Sequence, residues 1–157
     1  MGIRYLVGDA TRPVDGGAKF VVHVCNDIGK WGRGFVLAVS RRWAEPERVY
    51  KAAFKTETPP RLGDVQFVPV GPDITVANLI GQHGIATRSG GTPPIRYDAI
   101  RAALEVVAAR ASLQRSSAHM PRIGCGLAGG EWSMIEPIIE STLVAKGIAT
   151  FVYDLPA

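Results

Sequence analysis

The chain has 157 residues, 46% of them apolar and 20% charged, which suits one compact domain with a sizeable core over residues 1–157. No window reaches the roughly 18 unbroken apolar residues of a membrane span. The start, MGIRYLVGDATRP, lacks the basic flank, apolar run and cleavage site of a secretory leader, so a cytoplasmic protein with no membrane contact is expected. Eighteen Lys and Arg against fourteen Asp and Glu give a net charge of +4, which favours anionic partners. The basic residues look scattered along the chain, with Arg41-Arg42 the one tight pair, so a phosphate-bearing small molecule suits the charge and nucleic acid is not expected as the primary ligand. Cys25 and Cys125 lie too far apart in sequence for a CxxC site, and neither a disulfide framework, a metal nor a cofactor is expected.

In chain order, segments rich in branched and aromatic residues predict strands at 3–9, 19–26, 64–70, 74–82, 118–124 and 148–155. Several are continuous apolar runs, as in KFVVHVCN, which fit strands covered on both faces. Helical patterns fall between them. One covers 34–43. A second covers 46–56 and opens with Pro46 and Glu47. A third covers 97–113, with Ile100, Leu104, Val107 and Ala111 at helical spacing, and a fourth 131–146, with Pro137 as a local kink and Gly147 as its stop. No repeat or composition break marks a domain boundary. Strands alternating with helices predict a three-layer α/β/α fold.

In such folds ligands gather at the carboxyl ends of the strands. Three polar, glycine-bearing segments fall there: GDAT after the first strand, CNDIGKWGRGF after the second and RIGCGLAGGEW after the fifth. The last two each lead towards a helix N-terminus, where unpaired N–H groups and the helix dipole suit an anion, and a diphosphate held between them is the natural reading. Neither contains GxxxxGK[ST], and GxGxxG is present only loosely at Gly124, Gly126 and Gly129, away from the first strand, so a P-loop or Rossmann site is disfavoured. The alternative for these glycines is tight turns or helix–sheet packing.

The blocks GDAT, HVCNDIGKWGRGF, NLIGQ, MPRIGCGLAGGEW and VYD, in this order and spanning nearly the whole chain, resemble a macrodomain, the ADP-ribose-binding module. The likeness is to the branch that includes terminal ADP-ribose protein glycohydrolases and ADP-ribose 1''-phosphate phosphatases. It implies a mixed, mostly parallel six-stranded sheet between helices and gives the anion an identity. By matching position, Asp9 would accept from the adenine amine with the Ala10 backbone beside it, and Tyr153 would lie against the adenine ring. Asn26 would hydrogen-bond the distal ribose. Gly32, Gly34 and Phe35 would form one wall of the diphosphate site, and Gly124, Cys125, Gly126, Leu127, Ala128 and Gly129 the other, with Gln82 nearby. Each has a structural counterpart: Asp9 and Asn26 as turn residues, Tyr153 as an aromatic closing the core, Trp31 as a loop anchor.

His23 matches the histidine of HxCN that in the phosphatase-like members is a candidate for proton transfer, and a group titrating near neutrality suits that work, although strand alternation sets it on the face opposite Asn26, and a buried histidine satisfied by the backbone is the alternative. Packing is preferred over nucleophilic roles for both cysteines, and His83 and His119 show no partner in sequence. Glycohydrolases that attack through a lysine carry Lys and Asp where this chain has Gln82 and Ala128, so the resemblance implies water attack at the distal ribose with His23 and Asn26 as the catalytic candidates. Expected partners are ADP-ribose and a protein ADP-ribosylated on acidic side chains, handled by a monomer. The phosphatase reaction and non-catalytic binding of ADP-ribose are the other readings.

Overall fold

In the computed structural model, which describes residues 2–85 and 92–157, six strands form one sheet. They are β1 (Ile3–Val7), β2 (Lys19–Asn26), β3 (Val65–Pro69), β4 (Ile74–Gln82), β5 (Ser117–Met120) and β6 (Thr150–Asp154), in the order β1-β6-β5-β2-β4-β3. All neighbours are parallel except β3, which runs antiparallel to β4. This is the mixed, mostly parallel sheet expected from the sequence. The helices are α1 (Phe35–Arg42), α2 (Glu45–Ala53), α3 (Tyr97–Gln114) and α4 (Trp132–Thr142).

The two faces of the sheet explain the apolar runs. Along β2, Phe20 and Val22 join Leu79, Met120 and Val152 under Ile100, Leu104, Ile135 and Ile139 of α3 and α4. Val21 and Cys25 turn the other way and meet Val36, Val39 and Tyr50 of α1 and α2. A strand buried on both sides cannot alternate with polar residues, so it reads as an unbroken apolar stretch.

Most boundaries fall within about three residues of the expected ones, and two elements, β5 and the fourth helix, end four residues early. β5 ends at Met120 rather than reaching 124, because Pro121 has no N–H for the ladder and Gly124 turns the backbone to φ +74°. The fourth helix ends at Thr142; a 3-10 turn at Val144–Lys146 follows, and Gly147 at φ +76° closes it. Pro137 lies inside α4. The parallel arrangement brings the carboxyl ends of β1, β2, β4, β5 and β6 to one edge of the sheet, and the loops that follow them build the site.

Candidate functional site

A cavity of about 680 Å³ opens at this edge, within the size range of small-molecule sites. Its walls combine Cys25, Asn26 and Gln82 from strand ends, Gly32 and Arg33 from the loop before α1, Val36 of α1, and Leu127. The two glycine segments therefore converge: a Cβ on Gly34 would stand 4.0 Å from the Leu127 side chain. Gly34 caps α1 at φ +78° and its carbonyl accepts from Leu37, which leaves the Phe35 and Val36 amides without acceptors among the described residues. On the other wall Gly126–Ala128 form a 3-10 turn whose first amides, Gly126 and Leu127, are likewise unpartnered among the described residues. Unpaired N–H groups from two helical starts around one cavity are an anion-binding arrangement.

The glycines of RIGCGLAGGEW divide by what surrounds them. A Cβ at Gly124 would stand 2.6 Å from Ile95, one at Gly129 2.8 Å from Pro93, and one at Gly130 2.4 Å from the Gly124 carbonyl. These three are glycine because the protein packs against them. Gly126 and Gly32 would meet nothing within 4 Å; Gly32 lines the cavity, and Gly126, at φ +77°, precedes Leu127, which does. The Ala128 carbonyl accepts from the Ile95 amide at 3.0 Å, which ties the loop to the segment leading into α3. Cys125 is half-buried and burial pushes its thiol up, which disfavours the thiolate.

Asn26 is fixed from all sides. Its Oδ1 accepts from the Ile28 amide (3.0 Å), the Lys30 amide (3.1 Å) and the Tyr50 hydroxyl (2.7 Å), and its Nδ2 donates to the Lys30 carbonyl at 2.7 Å. An amide nitrogen carries two hydrogens, so one N–H of Asn26 has no partner among the described residues. A register shift between Cys25 and Asn26 carries the side chain to Tyr50 on the α2 side, which plain alternation would not do. Asp27 extends the same scaffold, with Oδ1 accepting from the Gly84 amide and Oδ2 2.8 Å from the His83 ring. Burial pushes the Asp27 carboxyl up, but the Gly84 amide and His83 outweigh it and hold it below the usual range.

His23 does not border the cavity, and the expectation that it moves a proton for a ligand is corrected by its surroundings. It is 1% exposed, and its Nε2–H donates to Asn78 Oδ1 at 2.6 Å. The Asn78 amide in turn donates to Pro46 and Gln66, which fixes the imidazole as the Nε2–H tautomer. Burial lowers the His23 pKa to about 4, and the Asn78 contact only partly opposes it. Burial pushes the neighbouring Cys25 thiol up, so these two groups are neutral and are not an ion pair.

Comparisons bear on this geometry. No family model matches the chain. A structure from Bacteroides thetaiotaomicron is 54% identical and covers 99% of each chain, with a TM-score of 0.95. A macrodomain protein from Streptomyces coelicolor is 51% identical across 97% of this chain and 98% of its own, with a TM-score of 0.84. The chain belongs to the macrodomain family. Mouse chromodomain-helicase-DNA-binding protein 1-like is 34% identical over 164 residues, but the chain spans only 18% of its length. A more distant fold neighbour, the Thermosipho africanus DarTG structure in complex with ADP-ribose, shares 17% identity over 88% of this chain and 38% of its own, at a TM-score of 0.65.

Asp9, Ala10 and Tyr153, expected residues of the macrodomain, lie beyond the cavity, at the ends of β1 and β6. Asp9 Oδ1 accepts from the amide and the hydroxyl of Thr11, at 2.8 and 2.7 Å, while Oδ2 has no donor among the described residues. Ala10, Phe151 and Tyr153 form a small buried cluster. The Tyr153 hydroxyl accepts from the Val14 amide and pairs with His119, and only 5% of the residue is exposed, so it closes the core beneath Gly8. Phe35 packs against both this cluster and the one under the cavity. Gln82 donates to the Gly84 carbonyl at 2.9 Å. Trp31 is buried and its indole donates to Ser40, which anchors its loop, and it lines the cavity as well. Sequence reasoning missed Tyr50, whose only sequence signal is an aromatic at helical spacing from Phe54, and Asn78, which stands opposite His23 in the β2–β4 register.

Proposed function

We propose that this macrodomain binds ADP-ribose and hydrolyses it from acidic side chains of modified proteins. The observation that carries the reading is the convergence of two unpartnered pairs of amides, Gly126 with Leu127 and Phe35 with Val36, where Leu127 and Val36 line one cavity that has no carboxylate among the described residues. These amides hold the diphosphate, as helix-start N–H groups hold phosphates generally. The ADP-ribose complex of the DarTG fold neighbour supports the choice of ligand. Asp9 Oδ2 receives the adenine amine, with Ala10 beside it and Tyr153 supporting from below. The remaining N–H of Asn26 donates to a hydroxyl of the distal ribose, where Gln82 and Cys125 are neighbours.

In the reaction a water oxygen bonds to C1'' of the distal ribose, the bond from C1'' to the acyl oxygen breaks, and ADP-ribose and a free carboxylate leave with one proton released. A carboxylate is a stable leaving group, so little protonation is needed. Alignment of the water against C1'' supplies on the order of 7–11 kcal/mol in the best-aligned systems. Lysine attack has no candidate at Gln82.

The absence of a carboxylate or accessible histidine among the described cavity residues favours a second reading, a reader that binds ADP-ribose without turnover. Incubation with an automodified transferase carrying carboxylate-linked ADP-ribose separates the two. Release of the label supports hydrolysis; retained label at high protein concentration, with ADP-ribose binding intact, selects the reader.

A further inference from the structure

The cationic residues, though seldom adjacent, concentrate in one stretch of the chain. Residues 30–55 hold seven of the eighteen Lys and Arg and two of the fourteen Asp and Glu, so this stretch carries +5 and the rest of the chain −1. It comprises the loop before α1, helix α1 and helix α2, which pack on one face of the sheet. All seven cations, Lys30, Arg33, Arg41, Arg42, Arg48, Lys51 and Lys55, are exposed. Lys30, Arg33 and Lys51 also line the cavity, so the charged face begins at its mouth. Of the seven, only Lys51 has an ion pair among the described residues, with Glu47 at 2.6 Å.

We propose that the α1–α2 face docks an acidic segment of the ADP-ribosylated protein, flanking the modified residue. The inference rests on the ADP-ribose reading of the cavity, because a carrier attached at the distal ribose must leave past Asn26 and the loop of Lys30 and Arg33. An excess of cations that face water rather than carboxylates attracts a polyanion and orients its approach. The same face is a poor nucleic-acid surface. Single strands bind on exposed aromatic platforms, and Trp31, Phe35, Trp43, Tyr50 and Phe54 are all buried or half-buried. Glu45 and Glu47 also interrupt any phosphate track across α2.

The test uses two peptides, each with one ADP-ribosylated glutamate, one flanked by Glu and Asp and the other by Gln and Asn. The protein is compared with an Arg41→Gln/Arg42→Gln/Arg48→Gln variant, whose substitutions lie outside the cavity. The wild type is expected to bind the acidic peptide ~10-fold tighter, with the gap closing as salt rises. The variant should lose the gap and keep its affinity for free ADP-ribose. Equal affinity of the wild type for both peptides, or a gap that survives in the variant, overturns the proposal. So does a DNA oligonucleotide of matched charge that displaces the acidic peptide better than unlabelled peptide does, which assigns the face to nucleic acid. Should the variant fail to fold, the wild-type comparison and the competition decide. Anisotropy of an unmodified Glu-rich peptide reads the face even if free ADP-ribose does not bind, an outcome that ends the proposed function instead.

Discussion

The Tyr50 hydroxyl, on a side chain that is 0% exposed, governs how Asn26 meets a ligand. Its single hydrogen is shared between the Asn26 carboxamide oxygen and main-chain carbonyl, both at 2.7 Å, and with the Ile28 and Lys30 amides it fixes the carboxamide so that one N–H has no partner among the described residues. Tyr50→Phe removes a buried hydrogen bond, so thermal denaturation should show a loss of about 1–2 kcal/mol. Calorimetry should show ADP-ribose affinity ~5- to 10-fold weaker, with ADP, which has no distal ribose, little affected. His23 belongs to stability. Its folded pKa of about 4 lies below the ordinary 6.5, so the native state resists the proton that the unfolded chain takes up. Its contribution is complete above pH 6.5 and falls away as pH drops towards 4, by about 3 kcal/mol in total. Denaturant melts of the wild type and His23→Phe across this window should therefore differ in slope. At this scale the sequence marks Asn26 and His23 as unusual but does not display their partners. Tyr50 and Asn78 are distant in sequence, and only the packing of α2 and the pairing of β4 bring them close.

Among the elements, the glycine turn at 124–130 combines two demands that substitutions can separate. Gly126→Ala puts a methyl group into open space at φ +77°, costing about 1–2 kcal/mol of backbone strain. It also crowds the amides at the cavity, so affinity for ADP-ribose should fall ~10-fold or more, a larger effect than the few degrees by which that strain lowers the melting temperature. Gly130→Ala drives a Cβ to 2.4 Å from the Gly124 carbonyl and forces the main chain to shift. It should destabilise by about 1–3 kcal/mol, with weaker binding as a consequence. Strands and helices were largely legible in the sequence, because burial on both faces leaves β2 and β4 apolar and the α3 period is regular. The glycine loop was legible as a place and not as a mechanism. Close approach of Ile95 and Pro93 and of an anion ask for the same residue, and the sequence does not distinguish a partner inside the protein from one outside it.

For the whole molecule, the net charge of +4 is less informative than its distribution, since the α1–α2 stretch alone carries +5. A search for adjacent cations finds one Arg pair, whereas the loop before α1, the two helices and Lys55 just after them hold seven cations, three of which line the cavity. The fold places two loop systems, nearly a hundred residues apart in the chain, at one edge of the sheet, and this convergence is the central claim. Titration calorimetry of the wild-type protein with ADP-ribose tests it most directly. The account predicts uptake at one site per chain with micromolar or tighter affinity, and ~2.7 kcal/mol of added stability at a hundredfold excess over Kd. Absence of both binding heat and stabilisation in well-folded protein, up to millimolar ligand, would contradict it.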